Sequence, residues 1–282
     1  MNRTIVSRNK PVEVEDGAGV KLKRFFPVAG LDNVDPFVLL DHFGSDNPDD
    51  FIAGFPLHPH RGIETVTYML EGRVRHRDST GHSGTIEAGD VQWMSAGRGI
   101  MHEEMPEVAE GRLDGFQLWV NLPASEKMKA AEYQEYRADQ ITEFEHQGHQ
   151  LRLVSGELLG HQGSVINVST QPIYADIRLS SGTLEIELPE HHNAFIYAFE
   201  GGLEVLGETN QVEALDAPAL AVLSNGQRLH LRSDSGARVL FAAGKPNNEP
   251  IMRSGPFVMN TREEIIQTWQ EIRDGAFPPG QE

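Results

Sequence analysis

The chain reads as an all-β protein, a sandwich or barrel, on three observations. Short runs rich in β-branched and aromatic residues recur along its length. Several of them alternate apolar with polar residues, the period-two pattern of a strand. Turn-forming residues separate them, with 28 Gly and 16 Pro as punctuation.

Taken in order, Ile63 to Leu70 is the first clear strand, closed by Glu71-Gly72. Phe116, Leu118, Val120 and Leu122 alternate with Gln117, Trp119 and Asn121, which predicts a half-buried strand. Ile173–Leu179, Leu184–Leu188, Ala194–Phe199 and Arg228–Arg232 continue the theme. Two stretches read as helices. One spans Glu126 to Tyr136. The other starts at Thr261, which can cap while Glu264 reaches back, and puts Ile265, Ile266, Trp269 and Ile272 on one face. The halves also resemble each other. Tyr68 to Gly72 matches Tyr197 to Gly201, and Trp93 to Gly97 matches Val222 to Gly226, both at an offset of 129. A duplicated β domain follows, with its boundary between about 125 and 150.

Composition narrows the function. At 282 residues, with 39% apolar and 23% charged, the chain can build one large or two medium cores. Its 42 acidic residues against 24 basic ones give a net charge of −18, which opposes direct nucleic-acid binding. No cysteine is present, so disulfides, thiolate nucleophiles and iron–sulfur clusters are excluded. The opening residues have no signal-peptide core, and no apolar run is long enough for a bilayer. A cytoplasmic monomer without membrane association is expected.

The chemistry concentrates between Phe55 and Pro106. His58 and His60 flank Pro59, which biases the preceding residue toward extended chain and points both imidazoles one way. His102 and Glu104 repeat that spacing, with Glu103 facing the other side. Two such pairs on neighbouring strands would offer three nitrogens and one carboxylate, a donor set for iron, manganese, cobalt, nickel or copper. Surface histidines, or a closed structural zinc site, are the competing readings. His76 and His82 flank a turn at Ser79-Thr80-Gly81 and read as solvated loop histidines. Arg61, with Lys21, Lys23 and Arg24, reads as solvated charge or as a rim drawing an anion toward the metal pocket.

These strings resemble the pirin family. The resemblance rests on His58-Pro-His60-Arg-Gly62-Ile-Glu64-Thr65, on Gly89 through His102, and on Glu104-Met105-Pro106. Gln117 to Leu122 and Gly255 to Thr261 extend it over nearly the whole chain. It implies a bicupin: two face-to-face antiparallel β-barrels (double-stranded β-helix or jelly roll) with a short C-terminal helix. Residues 1–135 would form the metal-binding cupin, and 136–282 a metal-free cupin carrying the helix. The implied ligands are His58, His60, His102 and Glu104, holding one divalent metal per chain, iron(II) first and manganese, cobalt, nickel, copper or zinc otherwise. Glu64 stands where other cupins supply their carboxylate, and Gly97 replaces an expected proline. Adding 129 to the four ligands gives Glu187, Pro189, Leu231 and Ser233, which cannot form a three-histidine site. The resemblance implies a quercetin 2,3-dioxygenase, with Glu104 as catalytic base, a flavonol-like aromatic substrate, dioxygen, and carbon monoxide as product. Its alternative is a non-enzymatic, metal-dependent, redox-sensing regulator that docks on a transcription factor or metabolic enzyme.

Overall fold

The computed structural model describes residues 1–107, 111–208 and 211–279. Twelve strands precede the midpoint: β1 (Ile5–Asn9), β2 (Val12–Asp16), β3 (Val20–Phe26), β4 (Phe37–Ser45), β5 (Phe55–His60), β6 (Ile63–Glu71), β7 (Arg73–Asp78), β8 (Ser83–Glu87), β9 (Val91–Ser95), β10 (Ile100–Pro106), β11 (Leu113–Asn121) and β12 (Glu132–Tyr136). The one α-helix among the described residues, α1, spans Arg262–Arg273.

Contacts divide the chain into two units. The first-half unit contains Glu13–Pro27, Phe37–Ala138 and Asn247–Glu282. Its seven-stranded antiparallel sheet runs β12-β9-β6-β11-β4-β3-β2, and its four-stranded sheet runs β5-β10-β7-β8. The second-half unit contains Met1–Val12, Val28–Pro36 and Asp139–Pro246. Its ten-stranded sheet includes β1, which pairs with Ala219–Leu223. The sheets are not closed rings, yet the all-β, two-domain architecture is the expected one. The ends, however, cross over. The first strand belongs with the second half, and the C-terminal helix belongs with the first half rather than with residues 136–282.

The repeat survives in the hydrogen-bond register. Tyr68 pairs with Val91 and Val66 with Trp93; Tyr197 pairs with Leu220 and Phe195 with Val222. Both strands are shifted by 129. On the other side, Val66 pairs with Leu118 and Phe195 with Ala242, so that partner is shifted by only 124. A shorter connection in the second half absorbs the difference, and a single offset therefore does not map every ligand position.

Three expectations change. The stretch read as a helix from Glu126 instead follows a short 3-10 turn at Ala124–Glu126 and holds β12, whose Glu132 to Tyr136 pair with Ser95 to Val91. Tertiary pairing with a sheet edge outweighs local helix preference. The 116–122 stretch is buried on both faces: Trp119 and Asn121 are as enclosed as Phe116 and Leu118. In α1 the capping box forms as read, with Thr261 and Glu264 bonding reciprocally. Ile265 is buried but Ile266 is exposed, since one residue is a 100° turn away from the shared face.

Candidate metal centre

Two antiparallel strands bring three imidazoles together. β5 is an edge strand, which tolerates Pro56 and Pro59 because their missing N–H groups break no inner ladder. It pairs with β10 so that His58 lies opposite His102, and His60 opposite Ile100. The register then shifts, and Glu104 stands opposite Phe55. Gly62 turns the chain from β5 into β6 at φ 79°, and a Cβ there would lie 2.1 Å from the carbonyl oxygen of Val258. Only glycine permits that approach of the C-terminal segment.

The imidazole tautomers follow from their partners. His58 Nδ1 is 2.9 Å from the carbonyl oxygen of Pro56, and His60 Nδ1 is 3.4 Å from that of Pro256. A carbonyl only accepts, so Nδ1 carries the proton and Nε2 the lone pair. Those two Nε2 atoms face each other at 3.0 Å. The His102 ring lies 4.4 Å from His58 and 5.0 Å from His60, centroid to centroid. Both its nitrogens are buried without a hydrogen-bond partner. Facing lone pairs and an orphaned buried imidazole are costly unless a cation satisfies them. Two nitrogens each about 2.1 Å from one cation, roughly at right angles, would be about 3.0 Å apart. The residues fit a divalent transition metal. Burial, followed by the neighbouring imidazoles, holds His60 and His102 well below the usual 6.5, which keeps both in the neutral, ligating form.

Glu104 lies apart from this group. The ligand atoms of His58, His60 and His102 fall within 4.8 Å of one another, and the group does not include its carboxylate. Glu104 is buried, accepting from Thr67 Oγ1 at 3.1 Å and from Gln117 Nε2 at 3.1 and 3.3 Å. Gln117 and Thr67 went unrecognised in the sequence. A usable signal existed: Gln117 and Trp119 share one strand face, and that face proves to line a cavity.

The cavity measures about 570 Å³, a usual size for a small-molecule site. His58 and His60 open into it, with Trp119, Leu39, Phe55 and Pro256 as apolar wall and Gln117 as a polar contact. The Trp119 ring meets His60 edge to face at 5.0 Å, and the Arg253 guanidinium covers Trp119 at 4.9 Å. Arg24 also borders it, in a bidentate pair with Asp41 at 2.8 and 2.7 Å and a further bond to Asp16.

The remaining candidates fall elsewhere. Arg61 is not on the rim: it is 2% exposed, bonded to Thr268 Oγ1 and the Arg98 carbonyl, and ion-paired with Glu271 of α1. Lys21 and Lys23 border a different depression. Glu64 accepts from Trp93 Nε1 at 3.1 Å and pairs with Lys129, so it anchors β6 rather than joining the imidazoles. Glu103 turns outward to Arg77 at 2.7 Å, as alternation requires. His76 is not solvated; it is 2% exposed, because β7 points it inward opposite Glu104. His82 is exposed as expected.

An all-β double-domain chain of this kind is, as a class, a bicupin, here with three histidines grouped as a metal ion would need them. Family models match it as pirin over residues 19–120 and as the pirin C-terminal cupin domain over residues 174–278. A Pseudomonas aeruginosa protein whose name proposes a quercetin 2,3-dioxygenase is 48% identical over 267 residues, 93% of each chain. A pirin-like protein of Caulobacter vibrioides is 42% identical over 278 residues, 98% of this chain and 99% of its own. The crystal structure of quercetin 2,3-dioxygenase from Acinetobacter baumannii superposes with a TM-score of 0.89 at 34% identity, covering 98% and 99% of the two chains. The chain belongs to the pirin family. Among its described residues no helix is long and apolar enough to cross a membrane.

Proposed function

We propose that this chain is a metal-dependent dioxygenase that opens flavonols such as quercetin with dioxygen and releases carbon monoxide. The observation that carries the reading is the convergence of His58, His60 and His102 beside a 570 Å³ cavity with aromatic walls. The three imidazoles would hold the metal, iron(II) first among the candidates, with Glu104, buried on the same strand as His102, as the fourth ligand. A bound metal would supply Lewis acidity toward the flavonol's hydroxyl and carbonyl oxygens and an electron route to dioxygen. The protein's own part is positioning and proton transfer. Trp119 and Phe55 offer flat apolar surface to the rings, and Gln117 a polar contact. The Glu104 carboxylate, aimed by Thr67 and Gln117, accepts the proton of the flavonol 3-hydroxyl. The relatives named for this activity support the reading at the level of substrate class.

Anaerobic reconstitution with each divalent metal in turn, followed by oxygen uptake and carbon monoxide release with quercetin, tests it. Turnover with at least one metal, lost in His102→Ala, is the expected result. A fully loaded protein that never consumes oxygen with any metal overturns it and leaves the regulator that docks on a protein partner.

A further inference from the structure

His76 of β7, His82 in the β7–β8 turn and Glu135 of β12 form a second cluster, with ligand atoms all within 4.8 Å of one another. The flavonol reading makes no use of it. His76 Nε2 is 2.9 Å from Glu135 Oε1, and His82 Nε2 is 3.2 Å from the same oxygen. Donors each about 2.0–2.1 Å from a tetrahedral zinc ion are roughly 3.3 Å apart, so both separations are close to ligand–ligand edges. His76 Nε2 is buried and, despite its distance from Glu135, makes no aligned hydrogen bond. That leaves an unsatisfied nitrogen aimed into the cluster.

The surroundings hold the three groups in place. The Asp78 carboxylate accepts from the backbone N–H groups of Thr80 and His82 at 2.7 and 3.0 Å, fixing the turn that presents His82. The Tyr133 ring packs on the imidazoles of His82 and His76, at 4.7 and 6.3 Å. Gln92 Nε2 donates to Glu135 Oε1 at 2.5 Å and orients the carboxylate. Gly84 keeps the approach clear, since a Cβ there would lie 2.8 Å from His76 Nε2.

We propose that His76, His82 and Glu135 bind a second divalent cation of the zinc type, with one coordination position left to solvent. Two imidazoles and one carboxylate are a donor set that zinc and cobalt(II) favour. β7 and β8 lie in the four-stranded sheet and β12 edges the seven-stranded one, so the ion ties the two sheets of the unit together. It is held more weakly than the ion of the three-histidine centre, because it has fewer imidazoles and an exposed ligand. The proposal stands apart from the flavonol reading, since it concerns binding and sheet anchoring alone.

The test is titration of chelator-treated full chain with cobalt(II), read by visible absorption and by equilibrium dialysis. Two equivalents are expected, the second with the stronger absorption of a four-coordinate ion. His82→Ala and Glu135→Gln keep the first equivalent and weaken the second at least about 10-fold, while His102→Ala keeps the second. Hydrogen exchange in β12 slows on adding the second equivalent to wild type, and not in His82→Ala. Because His82 is exposed in a turn, its replacement leaves the fold intact. Saturation of the wild type at one equivalent overturns the proposal, as does a second equivalent unchanged in His82→Ala.

Discussion

The two units share strand register and differ in what fills them. In the second-half unit, Leu184, Ile186, Leu229 and Leu231 face inward within one continuous apolar cluster that also takes in Ile177, Val205 and Phe241. In the first-half unit, one buried apolar group gathers around Val20, Phe43 and Met69 and another around Ile63, Met94 and Trp119. Buried polar side chains also lie inside, among them His60, His102, Glu104, Thr67 and His76. One copy of the duplicated fold packs its interior for stability. The other also holds polar groups in its interior, as functional sites commonly require.

Removing an imidazole should break this contrast most strongly. His102→Ala is expected to lower metal affinity by more than the roughly 10–100-fold typical of losing an outer contact, and to abolish oxygen uptake. Metal analysis of purified protein would check it, and undiminished metal content would remove His102 from the ligand set. Next in size is Glu104→Gln, which keeps the shape but loses the basic oxygen. Turnover should fall about 10²–10⁴-fold, with metal retained at least in part. Steady-state oxygen uptake reads this directly, and wild-type turnover would end the role of Glu104 as base.

The same substitution logic gives the opposite phenotype in the other unit. Leu231→Ala should cost about 2–5 kcal/mol of stability, through lost burial and a cavity. Denaturant unfolding would show the loss, while metal content and turnover per folded molecule stay unchanged. A smaller effect comes from pH. In the metal-free protein, burial holds His60 and His102 well below 6.5, so below that pH the unfolded chain binds more protons than the folded one. Stability is therefore full above about pH 6.5 and declines as pH falls through it. Among the described histidines of the other unit, only His192 is pushed down in the same way, by burial and then by Arg3 and Lys245. Thermal melts between pH 7 and 5 should show the larger loss in the unit with the metal centre. Glu103→Gln should change turnover least, because Glu103 faces Arg77 and not the centre.

Much of this was legible in the sequence where local rules coincide with the fold. Proline-flanked histidines two apart need only extended chain to converge, and the reciprocal Thr261–Glu264 cap is a local contact. Strand repeats survived because Gly72 and Gly201, 129 positions apart, both take a positive φ, at 80° and 69°. What stayed hidden depended on long-range pairing. Glu132 to Tyr136 became a strand because β9 offered an open edge, which nothing in that segment signals. Arg61 could not be separated from a pocket residue without knowing that Glu271, 210 positions later, would neutralise it. His76 and Glu135 are likewise far apart in the chain, and only the packing of one sheet on the other brings them together.

The crossing of the chain ends has a consequence for the order in which the protein matures on the ribosome. His58, His60 and His102 emerge early, but the carbonyl of Pro256 that orients His60 lies 196 residues further on. At about 5–20 residues per second, roughly 10–40 seconds separate the two. During that interval the nascent first half has its three imidazoles but lacks α1, the partner of Arg61, and the cavity wall formed by Arg253 and Pro256. Completion of the centre thus waits until Pro256 and α1 have been made, and a message truncated after the second half's core would leave His60 and Arg61 without these partners.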